Sequence, residues 1–423
     1  MLVSARMKVS VMRDNREEIK LIANRLIHWR PQQSRGPWCL LAIPTFRCNV
    51  ECGVCFRNWY PIPPFLFDEL TDDRWLRLVD EAKDMGVRFF VIGGGGEPML
   101  RGKLVTAMCV KTKRLGMEGR LQTNGTRMPP ETMEALITSG WDCLSISLDG
   151  PDESVNDAVR FQGSFRKVEA TLRELKEMKA KFQSVYPSVC INMTFTSQNY
   201  NRLEDMVEFC ADSGVALLSV NTLIESSEAD TRYPLNQKQR EELPVHVQNA
   251  VTKADALGLT HNLNNLLFLP EASKNSMLPK NPGSSEFSLT LAGAHCLEPW
   301  TGVSIVSSGQ ISPCCFFWDE HAESIQDMTL AEAWNGPYMT AFRKHMLEGN
   351  FRGECVTCSF PHSKDYQLLK ETLKDTAHVA ARIGLRGLAH KFSSNLRKHG
   401  VYGSYQRFKE WRAIRRALHN ESK

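Results

Sequence analysis

Cys48, Cys52 and Cys55 stand in a C-x3-C-x2-C arrangement, Cys48-Asn-Val-Glu-Cys52-Gly-Val-Cys55, just after the first strand-like run of the chain. Soft thiolates at such spacing suit zinc or an iron–sulfur cluster. Their number matters as much as their type. A closed site takes four protein ligands, so three leave one metal position open to water, substrate or cofactor. A second set lies far along the chain: Cys296, twelve residues, Gly309, four residues and Cys314, then Cys355-Val-Thr-Cys358. A hairpin brings Cys296 and Cys314 together, and the C-x2-C pair completes a four-thiolate site with no open position, suited by its ligands to zinc or to a cluster. Cys315 is then an unused neighbour.

Other segments fall at the ends of strand-like runs. Gly93-Gly-Gly-Gly96-Glu97-Pro98 allows close backbone approach and fixes its own exit, which presents polar backbone groups there. It lacks the lysine of a phosphate loop. Thr123-Asn124-Gly125 and Ser145-Ile-Ser147-Leu-Asp149-Gly150-Pro151 close two further runs, and Arg160 precedes Gly163-Ser164-Phe165. Taken singly, Ser147 is a strand-end cap and Arg160 a surface ion pair. His261 and His295 show no paired ligand spacing and read as structural or exposed.

These residues need a scaffold, and 423 residues allow two or three folded units. With 42% hydrophobic and 24% charged residues the chain has material for a large core and is neither disordered nor collagen-like. No 18-residue apolar run exists, which excludes a membrane-spanning helix. Arg6, Lys8, Arg13 and Glu17 interrupt the stretch that a secretory signal requires, so the expected compartment is the cytoplasm. Thirteen cysteines there point to metal or redox use instead of disulfides. Residues 1–35 carry +5 and residues 364–423 carry +9 of a net +4, which leaves −10 for the body. Basic ends suit an anionic surface or, more simply, solvated helix faces.

Short apolar runs alternate with helical patterns from about residue 38, the signature of β/α units and a mainly parallel sheet. Strands are expected at Leu40–Pro44, Arg88–Ile92, Gly119–Thr123, Cys143–Leu148, Val189–Phe195 and Ala216–Asn221. Helices are expected at Asp72–Met85, Lys103–Leu115, Pro130–Ser139, Phe165–Phe182 and Arg202–Ser213. Beyond residue 222 the alternation fades into a linker-like Asn264–Ser288. Val303–Ser307, a Ser308-Gly309 turn and Gln310–Ser312 then read as a hairpin, followed by a helical stretch around Leu330–Leu347. The tail Ser404–His419 sets Phe408, Trp411, Ile414 and Leu418 at near-helical spacing among basic residues.

The trio Cys48, Cys52 and Cys55 resembles the defining motif of the radical S-adenosylmethionine (SAM) enzymes, and Gly95-Gly96-Glu97-Pro98 resembles their GGEP segment in sequence and place. The Cys296…Gly309…Cys314 stretch and Cys355/Cys358, with Pro299-Trp300, Pro313-Cys314-Cys315 and Trp334-Asn335-Gly336, resemble the SPASM/twitch extensions of that family. The resemblance implies a partial (β/α)6 TIM-like barrel with a small auxiliary-cluster domain and a basic helical tail. The divisions are 1–35 (basic extension), 36–262 (barrel), 263–288 (linker), 289–362 (SPASM/twitch) and 363–423 (tail). It also implies a [4Fe-4S] cluster on Cys48, Cys52 and Cys55 whose fourth iron takes SAM, and one auxiliary [4Fe-4S] cluster on Cys296, Cys314, Cys355 and Cys358. Gly95, Gly96 and Glu97 would hold the SAM amino group, Ser147 its ribose and Arg160 its carboxylate. The family carries an aromatic residue before its third cysteine; here Val54 occupies that position and Phe56 follows.

The implied activity is reductive cleavage of SAM to a 5′-deoxyadenosyl radical that abstracts hydrogen from a peptide or small metabolite, with flavodoxin or ferredoxin as reductant. Where the substrate radical must regain hydrogen, Cys190 is the candidate donor, against the plainer reading of a buried thiol. Asn192, Asn221, Glu225, Glu298 and Asp319 are candidate bases or anchors. A different class, a non-enzymatic zinc or iron–sulfur protein gripping nucleic acid with its tail, fits the same cysteines and charges.

Overall fold

The computed structural model describes residues 15–29, 36–58, 61–222, 232–268, 291, 294–315, 317–350, 355, 358 and 366–376. Its frame is a nine-stranded sheet: β1 (Cys39–Ala42), β2 (Phe89–Ile92), β3 (Glu118–Thr123), β4 (Cys143–Ser147), β5 (Ser188–Phe195), β6 (Leu217–Thr222), β7 (Thr260–His261), β8 (Gly302–Ile305) and β9 (Ile311–Ser312). The order β7-β6-β5-β4-β3-β2-β1-β8-β9 is parallel throughout except for the antiparallel β8/β9 hairpin. Among the described residues the two ends do not pair, so the sheet is not closed, as in a partial barrel. All six expected strands and five expected helices form within about a residue or two of their expected bounds.

Alternation along the strands divides the core. Leu40, Phe90, Leu121, Leu144, Ile191 and Leu218 face the helices, where they meet Trp75, Val105, Leu136, Leu172 and Val207. Cys39, Leu41, Phe89, Val91, Cys143 and Cys190 belong to a second cluster on the opposite face. The helix Asp72–Asp84 shows how the outer layer is specified: Thr71 caps it by accepting from the Arg74 N–H, and Trp75, Leu78, Val79 and Ala82 recur on one buried stripe.

Three differences from the sequence reading stand out. The helix Gln237–Ala256 was not expected; Pro244 interrupts its pattern, while an Asn236/Gln239 capping box starts it. The stretch around Leu330–Leu347 is two helices, Leu330–Asn335 and Pro337–Glu348, because Gly336 is the cap of both and Pro337 begins the second. The first arm of the hairpin, β8, also adds to the free edge of β1 in parallel, Cys39 opposite Gly302 and Ala42 opposite Ile305, so the second cysteine region continues the barrel sheet. In addition, the helix Asn15–Ile27 buries Ile19, Ile22 and Leu26, in a stretch read only as a basic extension. Residues Ser404–His419 lie outside the described residues.

Arg343 ties these additions together. Its Nε donates to the Pro299 carbonyl and its Nη1 to the Trp334 carbonyl, each at 2.9 Å, and its guanidinium lies 4.1 Å from the Trp334 ring centroid and 5.4 Å from that of Trp29. Burial pushes its pKa down to about 9. Replacing it with methionine keeps the stem but strands two buried carbonyls, and is expected to lower unfolding stability by about 2–4 kcal/mol in a denaturant titration. Arg343→Lys should lose somewhat less, since it keeps a charge without the fork.

Candidate metal and cofactor site

The loop after β1 is shaped by hydrogen bonds around its thiols. Gly53 N–H donates to the Val159 carbonyl at 3.1 Å, Cys55 N–H to Cys52 O at 3.0 Å, and Asn58 Nδ2 to the same Cys52 carbonyl at 2.7 Å. A Cβ on Gly53 would lie 1.9 Å from the Tyr233 hydroxyl, so a side chain there would have to displace that ring. Cys48, Cys52 and Cys55 are all half-buried. Burial pushes the Cys52 thiol up to about 11, with Arg160 opposing the rise and Cys55 and Cys48 adding to it, so the three sulfurs share one electrostatic neighbourhood. Among the described residues no three His, Cys, Asp or Glu side chains converge tightly enough for a single metal ion. The donor set, three thiols on one loop, is that of a cluster with an open corner.

The glycine run seats this loop. Gly94 and Gly95 take φ of +77° and +67°, which side chains adopt poorly. Gly96 N–H donates to Thr45 O at 3.0 Å and Glu97 N–H to Arg47 O at 2.8 Å, so the run is zipped to the approach to Cys48. A Cβ on Gly96 would fall 1.9 Å from the Arg47 carbonyl oxygen. The Glu97 carboxylate is 2% exposed and accepts from Met99 N–H at 2.9 Å, the Thr123 hydroxyl at 2.7 Å and Asn124 N–H at 2.7 Å. Burial raises its pKa, and those three donors work the other way. Asn124 in turn donates to Asn49 Oδ1 at 2.9 Å, between the first two cysteines of the trio. The strand ends of β1, β2 and β3 are therefore one hydrogen-bonded unit.

Arg160 reaches the same loop: its Nη1 is 3.9 Å from Cys52 Sγ and its Nε 2.8 Å from Asp149 Oδ2. Burial works against its charge, but Asp149 and Cys52 outweigh it and hold its pKa above the ordinary arginine value. Ser147 is half-buried at the end of β4, opposite Asn192 of β5. Below them Arg120 donates to Ser145 Oγ and to Cys190 Sγ, both at 3.2 Å, and Asn192 Nδ2 donates to Ser145 Oγ at 2.6 Å. Cys190 is fully buried in this layer, beneath the strand ends. Asn221 is exposed at the end of β6, Asp319 is half-buried, Glu298 is buried, and Glu225 lies outside the described residues. His261 hydrogen-bonds Leu263 N–H and approaches Asp255, and His295 meets the Cys355 carbonyl at 3.0 Å.

In the second set, Gly309 turns the hairpin with φ +97° and Cys314 follows β9. Cys296 Sγ accepts from Glu298 N–H at 3.5 Å, and burial pushes its thiol up to about 12, with Glu298 and Cys358 contributing. Cys355 is buried and Cys358 half-buried. Cys315, read as unused, also feels Cys358: burial raises its thiol to about 11 and Cys358 adds to the rise. Sequence spacing had also missed Asp149 as the partner of Arg160, and Trp318. The Trp318 ring meets Phe46 at 5.1 Å and Phe56 at 5.6 Å, so the aromatic residue directly after Cys55 packs on the chain just past Cys314.

A sequence model of the radical SAM superfamily matches residues 42–210, and a model of the SPASM iron–sulfur cluster-binding domain matches residues 296–359. Mycofactocin maturase MftC of Mycolicibacterium smegmatis is 30% identical over 211 residues, 49% of this chain and 50% of that protein, so the match spans about half the relative's length. AdoMet-dependent heme synthase of Nitratidesulfovibrio vulgaris is 24% identical over 340 residues, 78% of this chain and 88% of the other. Streptococcus suis SuiB bound to precursor peptide SuiA shares the fold, with a TM-score of 0.56 at 21% identity over 80% of this chain and 72% of that one. Native anSMEcpe with bound AdoMet gives 0.52 at 18% identity, over 81% of this chain and 100% of that one.

Proposed function

Because this chain belongs to the radical SAM superfamily and carries a SPASM domain behind its barrel, we propose that it cleaves SAM reductively and directs the resulting radical at a carbon–hydrogen bond of a peptide. When bound, the [4Fe-4S] cluster supplies one electron to the sulfonium, yielding methionine and a 5′-deoxyadenosyl radical. Cys48, Cys52 and Cys55 hold that cluster. Gly95 and Gly96 offer backbone groups to the SAM amino end, Glu97 fixes the turn that presents them, and Ser147 and Arg160 take the ribose and the carboxylate. Cys296, Cys314, Cys355 and Cys358 hold the auxiliary cluster.

A peptide is favoured over a small metabolite because mycofactocin maturase is among the relatives and SuiB was solved with a precursor peptide. Flavodoxin or ferredoxin is the proposed reductant, and the cytoplasm the proposed compartment. Among the described residues no helix is long and apolar enough to cross a membrane. The nucleic-acid reading rests on the C-terminal tail, of which residues 377–423 lie outside the described residues.

One observation carries the reading: three half-buried thiols on the loop after β1, locked to a glycine turn on β2 and faced by a half-buried arginine. Anaerobically reconstituted protein is expected to be brown, with about seven to eight irons for two cubanes, and to release 5′-deoxyadenosine when given SAM and dithionite. A colourless protein holding only stoichiometric zinc, or an iron-loaded one that leaves SAM intact, overturns it.

A further inference from the structure

Arg160 follows the short helix Glu153–Val159, and its backbone N–H donates to Asn156 O at 2.9 Å. Its guanidinium is fixed from two sides, by Asp149 at 2.8 Å and by Cys52 Sγ at 3.9 Å. Asp149 cannot swing away without breaking other buried bonds. Its Oδ1 accepts from Thr194 N–H at 2.7 Å, its carbonyl from Asn199 Nδ2 at 2.8 Å, and its own N–H donates to Asn156 Oδ1 at 2.9 Å. The Asp149 side chain is 0% exposed and that of Arg160 12%, so solvent and salt screen this charge pair weakly.

Adding an electron to a thiolate-bound cluster makes it more negative. A fixed cation against one of the ligand sulfurs stabilises the reduced state, and a fixed anion opposes it. Resting on the reading that Cys48, Cys52 and Cys55 hold a redox-active iron–sulfur cluster, we propose that Arg160 is a positioning residue whose guanidinium, braced by Asp149, acts through Cys52 to hold the cluster's reduction potential less negative. Asp149 moderates that effect while fixing its geometry. The role is separate from the SAM carboxylate contact, because it operates before SAM is present.

The test is an anaerobic redox titration of the reconstituted full-length protein without SAM, followed by electron paramagnetic resonance. The signal that changes on later addition of SAM identifies the first cluster. Arg160→Gln is expected to move its midpoint to more negative potential and Asp149→Asn to less negative potential. Arg160→Lys should stay nearer the wild type than Arg160→Gln. Opposite shifts from two members of one ion pair are what a charge effect produces; a merely structural role moves both the same way or neither. An unchanged or less negative midpoint in Arg160→Gln overturns the proposal. Should that variant take up no iron, Asp149→Asn decides, and a midpoint no higher than wild type overturns it. A wild-type protein with no reducible cluster removes the functional reading itself, which distinguishes the two failures.

Discussion

Alanine at Cys48, Cys52 or Cys55 is expected to lower the release of 5′-deoxyadenosine by at least ~10³-fold, since losing an outer-shell partner of a metal site alone costs roughly 10–100-fold. Each variant should keep about four irons, those of the auxiliary site. The argument is one of ligand count. Three thiols share the loop after β1 and no fourth cysteine belongs to that loop, so each substitution opens a second corner of the cluster. Folding should survive, because the half-buried thiols contribute little to the core and the loop keeps its Gly53, Cys55 and Asn58 hydrogen bonds. Circular dichroism close to wild type, iron halved and turnover lost is the expected pattern. Undiminished turnover in any one variant would exclude the trio as the seat of the chemistry. The complementary variants, Cys355→Ala and Cys358→Ala, should lose the other half of the iron.

Much of this arrangement is legible in the chain because its strands are short, parallel and buried on both faces. Such strands read as unbroken apolar runs, as Phe89–Ile92 does, and the glycines and prolines that follow them mark where the mouth lies. The cysteine spacing is equally local. What escapes is tertiary. Trp318 meets Phe56 across more than 250 residues, and β8 joins β1 across a similar span, with nothing in either local pattern to announce the partner. Asp149 and Arg160 are only eleven residues apart, yet their pairing depends on how the helix Glu153–Val159 folds back, and the expectations for that arginine were the SAM carboxylate or a surface ion pair, neither of which names Asp149. The helix Gln237–Ala256 shows the reverse difficulty: its capping box is local and readable, but Pro244 speaks against a helix that tertiary packing of Leu243, Val247 and Ala250 sustains.

The other large effect is expected at Glu97, and it separates a binding group from a buried strut. If the carboxylate served mainly to touch SAM, Glu97→Ala would weaken SAM binding and leave the protein's stability alone. Its surroundings predict otherwise. Both oxygens are engaged by Met99 N–H, the Thr123 hydroxyl and Asn124 N–H, at 2% exposure, and Asn124 passes the connection to Asn49 in the cysteine loop. Removing the carboxylate strands two buried backbone donors and leaves a cavity, about 3–5 kcal/mol in unfolding free energy at ~1–3 kcal/mol per stranded group. The loop should then hold its cluster poorly, so iron at the first site falls along with stability. Glu97→Gln is the sharper probe. Its amide oxygen can still serve Met99 and Thr123, but its NH₂ meets the Asn124 N–H donor to donor, for a loss of about 1–3 kcal/mol. The pH dependence follows from burial. A carboxyl whose folded pKa is raised binds protons more readily in the folded state than in the unfolded one, so this group's contribution to stability falls as pH rises through the ordinary carboxylate pKa and up to the raised folded value. Unfolding midpoints measured across the acid range should therefore show a wild-type slope from this group that Glu97→Gln, which does not titrate, abolishes. A variant that kept full stability, full iron and the wild-type slope while binding SAM weakly would make Glu97 a ligand contact and not the brace between β2, β3 and the cysteine loop.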